Sequence, residues 1–238
     1  QIVGLGTEQV ATLTAAQIAA LGSAQIAAIE TGDIAAMTAK QVASFGTEAI
    51  AALTTAQFQA LTSAQVATLG TAQIAAIETA DLVALGTGTI SAISDKAIPA
   101  LTSTQLGALE SGQIAALTNK QVVALTTEQI AGLATDDFNA LSSTQVAALK
   151  NTQLAALTTA QVAAMTTDDL AAITKTQIVA FTSTQIAALT TDQVIALTTA
   201  QVAALTTDQV GALTSTQVAA LATDDLAVHG LVRRALGP

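Results

Sequence analysis

Large apolar residues recur at two fixed places in every eight. With the frame set at Leu5, 28 octads run to Val228 without an insertion or deletion. Position 1 is Leu, Ile, Met or Phe throughout, as at Leu5, Leu13, Leu21, Ile29, Met37 and Phe45. Position 6 is equally apolar, from Val10, Ile18 and Ile26 to Leu226. Position 5 is Gln in 20 octads and Asp in five, at Asp33, Asp81, Asp137, Asp169 and Asp225. Positions 7 and 8 are mostly Ala, and positions 2 and 3 mostly Thr, Ser or Gly.

This period does not fit one long helix. Eight residues turn an α-helix through about 800°, so an apolar stripe would drift by about 80° per repeat and wind around the axis. Recurring Thr pairs would weaken such a helix further. One short helix per octad fits better. In Leu189-Thr190-Thr191-Asp192-Gln193-Val194, Thr190 as N-cap places Gln193 at N3, which completes a capping box. Leu189 and Val194 then occupy N′ and N4, the two places of a hydrophobic staple. The adjacent register is also open, because position 3 is Ser, Thr, Asn or Asp in 25 octads and each of these caps well. Gly at position 2 (Gly6, Gly22, Gly46, Gly70, Gly86) suits the corner in either register.

Helices this short are unstable alone and need neighbours. Position 6 and the next position 1 are three residues apart and share a helix face. Stacking octads would join these faces into one core, with Ala at positions 7 and 8 letting backbones approach. The expected fold is therefore all-α: a solenoid of very short capped helices, one per octad. The rival is a β-solenoid, since Thr, Val and Ile favour strands. Against it, Ala and Gln are weak strand formers, and positions five apart break strict alternation.

The expected organisation is a lead-in over residues 1–4, the octad solenoid over 5–228, and a cap or the start of another region over 229–238. Octads 85–92 and 93–100 are irregular, with Gly88, Thr89, Ala97 and Pro99 in place of the favoured types. Pro99 is expected to shorten or kink its helix. The irregularity reads as a tolerated defect or as a bend near residue 92. The chain starts at Gln1 without Met or a signal peptide, so a fragment or processed product is expected.

Composition narrows the job. The chain is 51% hydrophobic but only 2% aromatic and 10% charged, with one His and no Cys, Trp or Tyr. That inventory is poor for catalysis and gives no thiolate for a metal or disulfide. The net charge of −10 argues against nucleic acid, which needs clustered Lys and Arg, and against an anionic membrane surface. Mean hydropathy is high at +0.58, yet polar residues interrupt every octad, short of the roughly 18 apolar residues of a membrane span.

The acidic pairs Asp136/Asp137, Asp168/Asp169 and Asp224/Asp225 are weak candidates for a cation, because Ca²⁺ takes carboxylate oxygens. Asp near a helix N-terminus is also favourable by itself. No EF-hand or glycine-rich nonapeptide motif accompanies the pairs. His229 lacks a second imidazole or thiol, and Ser and Thr are too frequent for any Ser/His/Asp set to carry meaning. Phe45, Phe58, Phe138 and Phe181 fall on positions 1 or 6, hence in the core. No catalytic residue, cofactor site or cofactor is expected.

The phrase Leu-Thr-Thr-x-Gln-Val-x-Ala-Leu, which covers residues 5–228 in its variants, resembles the octapeptide-repeat tracts of large bacterial surface and secreted proteins. Such proteins are labelled adhesin-like or haem utilisation proteins. The resemblance implies an extracellular or cell-surface structural or adhesive region, exported by a type I route. Leu189 to Leu197 (LTTDQVIAL) is also similar to the first helix of a TAL-effector repeat. The much shorter period, the missing base-reading loops and the acidic balance leave only the capping chemistry in common.

The expected function is a non-enzymatic structural repeat protein: an extracellular rod or self-assembling filament subunit whose partner is itself, joined end to end. The alternative is an adhesin stalk, or a Thr-rich surface for glycan or ice. Inside and outside can be tested in one octad. Val194→Asp should cost on the order of several kcal/mol, because it buries an unpaired charge. Asp192→Ala should lose at most about 0.3–1 kcal/mol of dipole interaction. Equal losses in urea unfolding would refute the assignment.

Overall fold

The computed structural model describes residues 4–221. Among these residues it contains 26 short α-helices and no strand. The chain is an all-α solenoid with about one helix per octad, and the β-solenoid alternative is overturned. Two compact units are present, one through Leu125 and one from Thr126.

The first of the two capping registers is the one adopted. Thr190, at position 2, is the extended N-cap residue of helix Thr191–Ala196. Its hydroxyl accepts from the Gln193 N–H at 3.2 Å, and its own N–H donates to Gln193 Oε1 at 2.7 Å. Where Gly stands at the cap only the second bond remains, as between the Gly6 N–H and Gln9 Oε1 at 2.8 Å. Leu189 and Val194 are both buried, as the hydrophobic staple requires.

Three helices make roughly one coil, and within each unit coil packs on coil. In the first unit, helix Thr7–Thr12 packs on Thr31–Ala36, which packs on Thr55–Ala60, which packs on Thr79–Ala84. In the second, Ser143–Ala148 packs on Thr167–Ala172, then Thr191–Ala196, then Ser215–Leu221. Positions 1 and 6 form the core: Val42, Ile74, Val162 and Val194 are fully buried, and Phe58 and Phe138 are buried at the same position. Position 8 is half-buried, as at Ala52, Ala60 and Ala76, while position 7 ranges from exposed at Ala51, Ala67 and Ala75 to half-buried at Ala147, Ala163 and Ala187. The octad containing Pro99 is reduced to the 3-10 turn Ile98–Ala100, with Pro in its first turn. This is the shortening expected of a residue that lacks an N–H.

A third residue per octad is buried, and it is polar. Gln at position 5 spends its Oε1 on the cap and turns its Nε2 toward the preceding coil. Gln193 Nε2 donates to the carbonyls of Val162 at 2.8 Å and Met165 at 2.7 Å. Gln57 reaches Ile26 and Ile29, Gln65 reaches Ile34 and Met37, and Gln201 reaches Leu170 and Ile173. These acceptors lie near the end of an earlier helix, where the last carbonyls have no intrahelical partner. Each such Gln amide is thus satisfied at both ends, which permits its burial.

The two duties of Gln can be separated. Gln193 both caps and bridges, whereas Gln17 is exposed and, among the described residues, bonds only within its own cap, to the Thr14 N–H at 2.8 Å and the Thr14 hydroxyl at 2.9 Å. Gln193→Ala should cost about 2–4 kcal/mol, since it also leaves the Met165 carbonyl without a donor and takes from the Val162 carbonyl one of its two. Gln17→Ala should cost about 1 kcal/mol or less. Comparable losses in urea unfolding would show that the bonds between coils contribute nothing.

Candidate functional site

The most distinctive surface of this molecule is the face of a coil. Each coil has two unlike faces. One carries the position-1 side chains and the Gln Nε2 donors. The other carries helix-end carbonyls and the position-6 side chains. Between stacked coils the faces consume one another.

In the first described octads the groups of one face are exposed. Gln9, Gln17 and Gln25 are exposed; their Oε1 atoms hold the N–H groups of Gly6, Thr14 and Gly22, and their Nε2 groups meet no acceptor among the described residues. Leu5, Leu13 and Leu21 are half-exposed beside them, whereas Leu53 and Leu61 in the interior are buried. In the last described octads the position-6 residues become more exposed. Val194 is fully buried, Val210 is half-buried and Val218 is 52% exposed.

The acidic candidates divide between surface and interior. Asp136 and Asp168 are exposed, Asp137 is half-buried and Asp169 is buried. Asp169 accepts from the Thr166 hydroxyl at 2.6 Å and from the Ser143 hydroxyl of the preceding coil at 2.7 Å. Asp81 likewise accepts from the Thr55 hydroxyl at 2.6 Å. At these two places an Asp at position 5 reverses the bond between coils: it accepts from a position-3 hydroxyl where Gln donates to carbonyls. Neighbouring members of a pair consequently differ in burial. Among the described residues no group of three or more acidic or imidazole side chains could hold a metal ion. Asp224, Asp225 and His229 lie outside the described residues, as does the expected terminal segment 229–238.

The surface also has small grooves. One of about 310 Å³ is lined by Ala11, Leu13, Thr14, Ala15, Thr38, Lys40 and Gln41. Another of about 340 Å³ is lined by Lys175, Ala200, Ala203 and Ala204. Each offers a single Lys and no second titratable group, so neither assembles an acid–base pair. No helix among the described residues is long and apolar enough to cross a membrane.

Sequence reasoning identified Gln at position 5 as half of a capping box but missed its Nε2. A signal was present. Glu serves a capping box as well as Gln does, yet position 5 never holds Glu in 28 octads. A side chain of that length meets carbonyl oxygens, so it must carry a donor there. The shorter Asp takes a hydroxyl instead and escapes the exclusion.

A search of the curated proteins found no match to the chain. A scan against family models matched the ALTTAQ repeat over residues 26–63, 74–111, 105–135, 130–167, 162–199 and 195–223. Four of these segments begin on a residue whose carbonyl is taken by a Gln inside the same segment: Ile26 with Gln57, Ile74 with Gln105, Ile130 with Gln161, and Val162 with Gln193. The matched length thus spans a coil and the Gln that binds the next coil to it. With most of its octads covered in this way, the chain belongs to the ALTTAQ repeat family.

Proposed function

We propose that this chain is a non-enzymatic structural element of the cell surface or extracellular space, a filament subunit that joins further copies end to end. The observation behind this reading is that coils join through unlike faces, so a further coil, of this chain or of another copy, can seat on the first described one. Gln9, Gln17 and Gln25 present donors, and Leu5, Leu13 and Leu21 present apolar surface, in the arrangement that interior coils use to bind one another. The partly exposed Val210 and Val218 belong to the opposite kind of face. Unlike faces join head to tail, and a head-to-tail contact that does not close into a ring grows as a filament. The acidic surface keeps the sides of such subunits apart. The Thr-rich binding surface is less favoured, because position-2 hydroxyls such as Thr158, Thr190 and Thr206 are occupied as caps.

Sedimentation and electron microscopy across a concentration series test the proposal. Species of increasing length should appear as concentration rises. Leu13→Asp combined with Gln17→Glu changes only the exposed face of the first described coil and should leave a folded monomer with an unchanged helical spectrum. A parent chain that stays monomeric at every concentration would overturn the filament reading, as would assembly that survives the double variant.

A further inference from the structure

In one stretch the Gln donors between coils fail together. Octads 77–84, 85–92 and 93–100 carry Asp81, Thr89 and Ala97 at position 5. Nowhere else in the tract do two successive octads lack Gln there: Asp33, Ala49, Asp137 and Asp169 each stand between Gln-bearing octads. Three octads are a full coil, so one whole face is without amide donors. By the spacing seen at the bridging Gln residues, the carbonyls left behind are those of Ile50 and Leu53, Phe58 and Leu61, and Val66 and Leu69. Among the described residues no side chain bonds to any of them. At the position-1 residues Leu53, Leu61 and Leu69 the loss is complete, since no backbone N–H donates to these carbonyls either.

The coils on either side are well tied. Gln57, Gln65 and Gln73 bind the 53–76 coil to the coil before it, through Ile26, Ile29, Ile34, Met37 and Phe45. Gln105, Gln113 and Gln121 bind the following coil to Ile77, Leu85 and Ile93 of the 77–100 coil. Across the gap itself run the Thr55 hydroxyl to Asp81 at 2.6 Å and the exposed Ser63 hydroxyl to the Gly88 carbonyl at 3.1 Å. Apolar packing continues, with Leu82, Ile90 and Ile98 buried. The helices here are also among the shortest, at Thr87–Ile90 and the 3-10 turn Ile98–Ala100.

We infer that the junction between the 53–76 and 77–100 coils is a built-in seam, the place where the first unit opens before its remaining coils do. Stability in a stacked array is a sum of neighbour terms, so the junction lacking several of them separates first. Coils tied together by Gln on each side move as blocks. A structural element loaded along its axis would extend here without unravelling elsewhere.

The absence of Cys allows a direct test by thiol labelling under native conditions. Leu61→Cys and Leu157→Cys place a thiol at equivalent position-1 sites, each 4% exposed in the parent chain. The Leu157 carbonyl is held by Gln185 at 2.7 Å, and the Leu61 carbonyl by no side chain. Leu61→Cys should label at least about tenfold faster, the difference expected when a few hydrogen bonds are missing from one junction. Adding Thr89→Gln and Asp81→Gln to Leu61→Cys should slow labelling toward the Leu157→Cys rate. Equal rates for the two single variants, or no slowing on adding the two Gln residues, would overturn the seam. Should a Cys variant lose its helical spectrum, native-state hydrogen exchange of the parent chain decides in its place. Faster exchange in helices Ser63–Val66 and Thr87–Ile90 than in Asn151–Ala156 and Ser183–Ala187 supports the seam, and uniform exchange overturns it.

Discussion

A helix of five or six residues has almost no interior. Its first four N–H groups and last four carbonyls lack partners within the helix, and here those sets make up nearly the whole backbone. Everything else in the molecule answers that shortage. Thr at position 2 satisfies the N3 N–H, Gln Oε1 satisfies the N-cap N–H, and Gln Nε2 satisfies carbonyls at the end of an earlier helix. The same amide therefore starts one helix and finishes another. Coils need not stack only because their side chains are apolar; they must also stack because their helix ends would otherwise remain incomplete. The apolar positions supply most of the attraction, while the amide fixes where along the neighbour each helix sits.

Much of this was legible in the sequence. The Thr190–Gln193 box and the Leu189/Val194 staple are local, within six residues, so pattern and capping rules reach them. Burial of positions 1 and 6 follows from their shared helix face. The contact of Gln193 with Val162 and Met165 was not legible, because the partner lies some thirty residues away and is backbone. A repeated phrase cannot say which copy meets which, and backbone carbonyls leave no mark on composition.

The substitutions at position 5 show how narrow the requirement is. Asp keeps an acceptor and loses the donors, and at Asp81 and Asp169 the polarity of the bond between coils inverts, with Thr55 and Ser143 hydroxyls donating instead. The acidic pair Asp168/Asp169 is thus explained by architecture. Asp168 lies on the solvent side near a helix N-terminus, where negative charge is favourable. Asp169 occupies the Gln site.

Because Gln Nε2 binds main-chain oxygen, which every octad possesses, the lateral bond cannot tell one octad from another. The units are interchangeable parts. Loss or gain of whole octads rotates the phase of all that follows but leaves each amide an equivalent carbonyl to meet, so length can drift without loss of fold. The same indifference permits a chain to stack one octad out of phase at little cost. What opposes such slippage are bonds that need a particular side chain on both sides, such as Thr55 with Asp81 and Ser143 with Asp169. In a molecule built from synonyms, these departures from the repeat are what address one octad to another.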